Sequence, residues 1–126
     1  MYVAKMKTKL KFKLIMVFVD DLKVEAVLDA GREAGATGAT ILPQARGQGM
    51  KRHLTFFGLE YLAARTIVLF VVEARRSDKV MAAVTKAARL DETVDTGIAL
   101  ELDVNQVTGL SEHVRRLQEE HPDEFD

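Results

Sequence analysis

The sequence predicts an α+β domain built from two copies of a strand–helix–strand unit. Apolar, strand-length runs at Lys9–Val19 and Thr66–Val72 are each followed by a helical pattern with a polar start. Two short motifs, Thr37-Gly38-Ala39-Thr40-Ile41 and Thr96-Gly97-Ile98-Ala99-Leu100, then open a further strand at the same point of each half. The first and third strands are the most apolar, which suits the central positions of a four-stranded antiparallel sheet in the order 4-1-3-2. Both helices then lie on one face, the βαββαβ arrangement called ferredoxin-like, with a short C-terminal helix added.

The first strand alternates Lys9, Lys11 and Lys13 with Leu10, Phe12 and Leu14, a period of two. It then runs apolar on both faces through Ile15-Met16-Val17-Phe18-Val19, and its lysine face is expected to pair with Glu101 and Asp103. Asp20 and Asp21 offer a helix cap, Val24, Val27, Leu28 and Gly31 follow at helical spacing, and Gly35 ends the helix. The second strand is expected over about 37–42, stopped by Pro43. From Ala45 to about Arg65 no period holds. A stretch of that length reads as a functional loop, or as a partly extended hairpin arm.

After the third strand, Ser77 or Asp78 offers a cap for a helix with Val80, Met81, Val84, Ala87 and Ala88 inward. The last core strand, Ile98–Val104, places Ile98, Leu100, Leu102 and Val104 on one face. Ser111 offers a cap for a short helix carrying Val114 and Leu117, ended near Pro122. The expected organisation is one domain over 1–126, with a long loop at about 45–65, a short turn at 91–97, and a C-terminal helix with an acidic tail at 111–126.

Composition narrows the function classes. Of 126 residues, 48% are hydrophobic and 29% charged, which excludes a disordered chain. Eighteen Lys and Arg against nineteen Asp and Glu give a net charge of -1. That balance, with a third strand that is neither basic nor aromatic-rich, argues against nucleic acid as a partner. The absence of cysteine excludes a disulfide scaffold, thiolate metal sites and cysteine nucleophiles. The longest apolar run, Leu14–Val19, is far short of the ~20 residues that span a bilayer. The basic N-terminal segment has no long apolar core, so a cytoplasmic protein is expected.

Two helices cover only one sheet face, yet strands one and three are apolar on both. Met16 and Phe18 stand against Val17 and Val19, and Leu69 and Val71 against Val68 and Phe70. Leaving the second set in water forfeits about 1.5–3 kcal/mol per large side chain and exposes a large patch. Self-association is therefore expected, with a charge at Val68 or Phe70 expected to break it.

Candidate chemistry concentrates in the long loop. Arg46, Gly47, Gln48 and Gly49, with Lys51, Arg52 and His53, have two readings. Glycines let backbone N–H groups approach an anion while the cations neutralise it, or the segment is a solvated loop with incidental charge. Asp91, Glu92 and Asp95 read as turn residues rather than a calcium loop. His53, His113 and His121 are scattered, and no serine lies in a nucleophile elbow, so nothing in the pattern argues for catalysis.

These residues together resemble the PII signal-transduction family, the trimeric nitrogen-regulatory proteins. The resemblance spans roughly Lys9–Gly109, and includes Thr37-Gly38-Ala39-Thr40 entering strand two and the Arg/Gly-rich opening of the loop. Phe56-Phe57-Gly58-Leu59-Glu60-Tyr61 is similar to the family's Tyr-Arg-Gly-Ala-Glu-Tyr, which places Tyr61 at its modified tyrosine. Thr96-Gly97 and Leu102-Asp103-Val104 resemble the second family signature. The resemblance implies a homotrimer, and a small-molecule effector in clefts between subunits, lined by Thr40, Arg46, Gly47, Gln48, Gly49 and Lys51 with Thr96 and Gly97. It further implies a long loop docking a partner, a membrane transporter or enzyme, through Arg52, His53, Phe56, Phe57 and Tyr61, with membrane recruitment if that partner is a transporter.

The sequence also departs from the family. Its phosphate-binding turn, Gly-x-Gly-Asp-Gly-Lys, is met only at Gly97, and its Arg-x-Arg falls on Gly109-Leu110-Ser111. Each missing charge-assisted hydrogen bond is worth ~1.5–3 kcal/mol, so among adenine nucleotides ADP or AMP is expected over ATP, or else a small anion. Two alternatives stand beside this reading: a small-molecule enzyme on a ferredoxin-like trimer, and a CutA-like metal-tolerance trimer.

Overall fold

The computed structural model describes residues 11–47, 63–92 and 97–120. Its elements are β1 (Phe12–Val19), α1 (Val24–Ala34), β2 (Thr40–Gly47), β3 (Ala63–Glu73), α2 (Ser77–Ala88), β4 (Ile98–Asp103) and α3 (Ser111–Glu120). The strands form one antiparallel sheet in the order β2-β3-β1-β4, the topology the repeat predicts.

The core forms between one sheet face and the pair α1 and α2. Ile15, Val17 and Val19 of β1 and Val68, Phe70 and Val72 of β3 point into it, against Val27, Val80, Val84 and Ala88. Each of these large side chains contributes about 1.5–3 kcal/mol on leaving water. Gly31 lets α1 approach the sheet: a Cβ there would lie 2.5 Å from the Phe70 ring tip. Gly35, at φ +119°, closes α1, with its N–H donating to the Arg32 and Gly31 carbonyls.

Several local expectations hold. Asp20 accepts a hydrogen bond from the Leu22 N–H at 2.9 Å, capping a short 3₁₀ turn (Asp21–Lys23) that leads into α1. Lys13 pairs with Asp103 across the β1–β4 ladder. Hydrogen bonding between them raises the Lys13 pKa and lowers that of Asp103. The stabilising effect of Asp103 is thus present at neutral pH and lost as pH falls through its folded value; that of Lys13 is lost as pH rises through its own.

Three expectations are corrected. Pro43 does not end the second strand: β2 continues to Gly47 with a bulge between Leu42 and Ala45, where Gln44 adopts φ +66°. Proline is tolerated there because β2 is an edge strand and the bulge interrupts the ladder. Ser77 does not cap α2. It is the first residue of the helix, with Arg76 at the cap position, and its buried hydroxyl donates to the Glu101 carboxylate. Finally, Val68 and Phe70 belong to the helix-covered core and not to the open face, because alternation from the Val17–Val68 pair puts their neighbours outside.

The open face is an apolar grid. Reading across the ladder, its rows are Val71, Leu14, Leu102; then Thr40, Leu69, Met16, Leu100; then Leu42, Ile67, Phe18, Ile98. Ile98 is 56% exposed and Leu42, Leu100, Val71 and Leu102 are each over 40% exposed. Among the described residues only the end at Phe12 is covered, where Val114 of α3 packs with Val104, Val107 and Leu110.

The Gly31–Phe70 approach makes a direct stability test. Gly31→Ala should cost about 1–3 kcal/mol in chemical denaturation, because the Phe70 ring is enclosed and cannot retreat freely. Gly38→Ala, with nothing within 4 Å of its added carbon, should change stability by less than ~0.5 kcal/mol.

Candidate functional site

Of the proposed binding residues, Arg46 and Gly47 on one side and Gly97 on the other are carried to one end of the sheet but to opposite edges. β2 and β3 outrun β1: Thr66 faces Val19, its last residue, and beyond it Ala45, Arg46 and Gly47 pair with Arg65, Ala64 and Ala63. This two-stranded arm realises the hairpin alternative at its base. Gly97 sits at the same end on the β4 side, level with Phe18 and Val19.

Two strands, β3 and β1, stand between those edges, which makes three intervals of ~4.8 Å, or about 14 Å from β2 to β4. Within one chain the arm base and Gly97 therefore stand on different edges of the sheet, with β3 and β1 between those edges. Two copies laid edge to edge, β2 against β4, would oppose them. Thr40 lies lower, exposed on the open face, opposite Leu69 in the ladder. Of the other sequence-predicted residues, Gln48, Gly49, Lys51, Arg52, His53, Phe56, Phe57, Tyr61 and Thr96 lie outside the described residues.

The geometry also shows what Gly97 is for locally. Its φ is +131°, and a Cβ would meet the Phe18 carbonyl oxygen at 2.3 Å, with Val19 and Leu90 close by. Glycine is required there by the backbone, whether or not a ligand approaches. Asp91 also adopts a left-handed conformation, and Glu92 pairs with Arg89 at 3.1 Å, so both act as turn residues. His113 lies 3.3 Å from the Thr37 hydroxyl, where it ties α3 to the loop before β2. Among the described residues no group of three or more His, Asp or Glu side chains is placed to hold a metal ion. Nor is any helix among them long and apolar enough to cross a membrane.

Sequence reasoning missed two contacts made by the turn before α1, one to the arm base and one to the end of α2. The buried Thr66 hydroxyl donates to the Asp21 carboxylate. Lys23 Nζ donates to the Ala88 carbonyl at 2.6 Å, which satisfies the C-terminal end of α2. Neither pair follows from local spacing, because the partners lie 45 and 65 residues apart.

A family model described as Nitrogen regulatory protein P-II matches residues 12–113, which takes in both strand–helix–strand units and the arm. No curated protein matches the sequence.

Substitution at Gly97 is consequently a test of the fold before it is a test of binding. Gly97→Ala should lower stability by about 1–3 kcal/mol, read from the denaturation midpoint, since the added carbon meets backbone rather than a movable side chain.

Proposed function

The chain belongs to the nitrogen regulatory P-II family, whose members are non-enzymatic signal-transduction regulators that typically bind adenine nucleotides, and from that premise we propose a homotrimeric metabolite sensor. It takes its effector in clefts between subunits and acts on a partner protein through the segment that the arm carries. The observation that supports this reading most is the open apolar grid. Its ten or so aliphatic and aromatic side chains present a surface far beyond what soluble monomers leave in water, and a second copy is the occupant of matching character.

In this reading the arm base of one subunit, Arg46 and Gly47 with the following Gln48, Gly49 and Lys51, faces Thr96 and Gly97 of the next. Placement of the two groups on opposite sheet edges supports a cleft completed by association. Thr40, on the open face, lies toward the subunit contact. The effector is an adenine nucleotide of low charge, ADP or AMP before MgATP, or a small anion. Arg52, His53, Phe56, Phe57 and Tyr61 meet the partner, a transporter or an enzyme of nitrogen or carbon metabolism.

Assembly and binding are separately measurable. Light scattering should give a mass near three times 14.0 kDa. Leu69→Asp or Leu100→Asp should yield a folded species of lower mass, since an unpaired charge on that face costs several kcal/mol only once it is covered. Val68→Asp should instead unfold the chain, because Val68 lies in the core. Calorimetry against ADP, AMP, MgATP, 2-oxoglutarate and bicarbonate should find one ligand binding tighter than millimolar. Arg46→Ala should weaken it about tenfold. A wild-type monomer at micromolar concentration would overturn the assembly reading, and silence across the whole panel the sensor reading.

A further inference from the structure

We infer that the short segment Phe18–Lys23 is a joint that sets the position of the arm and couples it to the connection leading into β4, with Asp21, Thr66 and Lys23 as its positioning residues. This rests on the reading of the arm as the partner-contacting element, and adds what holds and regulates it.

On one side of the joint stands the arm base. Thr66 is the last β3 residue paired with β1, so the arm departs from the sheet immediately beyond it. Its hydroxyl is buried and bonded to Asp21, which lies in the 3₁₀ turn and not in the sheet. The arm is thereby held by a side-chain bond to a turn at the very point where it loses the support of a third strand. A hydroxyl buried without that partner would cost more than the bond itself contributes, so the geometry is strongly preferred.

On the other side stand both ends of the connection between α2 and β4. Lys23 holds the Ala88 carbonyl at 2.6 Å, and Gly97 lies against Phe18 and Val19 with Leu90 alongside. The joint itself is stiff: Asp20 accepts from the Leu22 N–H through its side chain and from the Lys23 N–H through its carbonyl, each at 2.9 Å. A turn braced by these bonds and gripped from two sides forms a contiguous hydrogen-bonded and packed route between its neighbours, the kind of network that carries coupling. Any ligand that shifts the α2–β4 connection would then bias the arm of the same chain.

Hydrogen exchange of the full-length protein, read by mass spectrometry, tests this with no ligand present. Thr66→Val removes the hydroxyl while keeping the shape. It should speed exchange at Ala45–Gly47 and Ala63–Arg65 about two- to tenfold and leave the Ile15–Val19 and Val68–Val72 amides unchanged. Thr66→Ser should restore the original rate. Asp21→Ala should reproduce the effect, and the double variant should add little, since both remove one bond. Lys23→Met should speed exchange at Leu90–Glu92 and, through the joint, at the arm base as well. An arm base unmoved by Thr66→Val and Asp21→Ala, or moved only together with the core amides, would overturn the positioning role. An effect of Lys23→Met confined to Leu90–Glu92 would overturn the coupling. Failure of every nucleotide and anion to bind would defeat the sensor reading while leaving these exchange results in force, which keeps the two separable.

Discussion

Two central strands that are apolar on both faces impose the main constraint on this molecule. β1 and β3 send Ile15, Val17, Val19, Val68, Phe70 and Val72 toward the helices, and the alternate residues Leu14, Met16, Phe18, Ile67, Leu69 and Val71 the other way. The helical layer satisfies the first set completely. It is packed tightly enough that α1 needs glycine at position 31 to sit over Phe70. For the second set the described residues provide only α3, which reaches Phe12 at one end and leaves the rest of the grid without cover from any of them. Strands apolar on both faces thus supply more apolar surface than one helical layer can cover, which is the physical basis of the association proposed above.

The same economy governs the functional end. One short stretch, Phe18–Lys23, ends a central strand, turns, and leads into a helix, and it meets Thr66, Ala88 and Gly97. Thr66 anchors the arm to it, Lys23 anchors α2 to it, and Gly97 is obliged to be glycine by contact with its carbonyl. Elements held by a few polar contacts open at lower free energy than those held by extensive apolar burial, which suits a regulator of the kind proposed.

The charge pattern at the proposed ligand site departs from the family motifs that the sequence otherwise resembles. The family match covers residues 12–113, so the scaffold is shared. The positions where the family carries cations after β4 hold Gly109, Leu110 and Ser111. The departures noted in the sequence thus fall on the proposed ligand site and not on the fold, as expected where function is set by residues grafted on a common frame.

By itself the sequence determined the element order, the sheet topology and the need for a second layer of burial. Those rest on alternation, helical spacing and an internal repeat, which are local or additive properties of the chain. Helix termination at Gly35, the Asp20 cap and the Lys13–Asp103 pair were legible for the same reason. Tertiary structure alone decided which apolar set faces outward, since alternation fixes that two faces exist but not which one the helices choose. It decided that β2 passes through Pro43, because a bulge on an edge strand is permitted by the partner strand rather than announced by the proline. It also decided that Ser77 would serve Glu101 instead of its own helix, and that Thr66 and Lys23 would meet Asp21 and Ala88. Contacts between residues so far apart along the chain carry no periodic signature; they exist only once the sheet has brought its ends together.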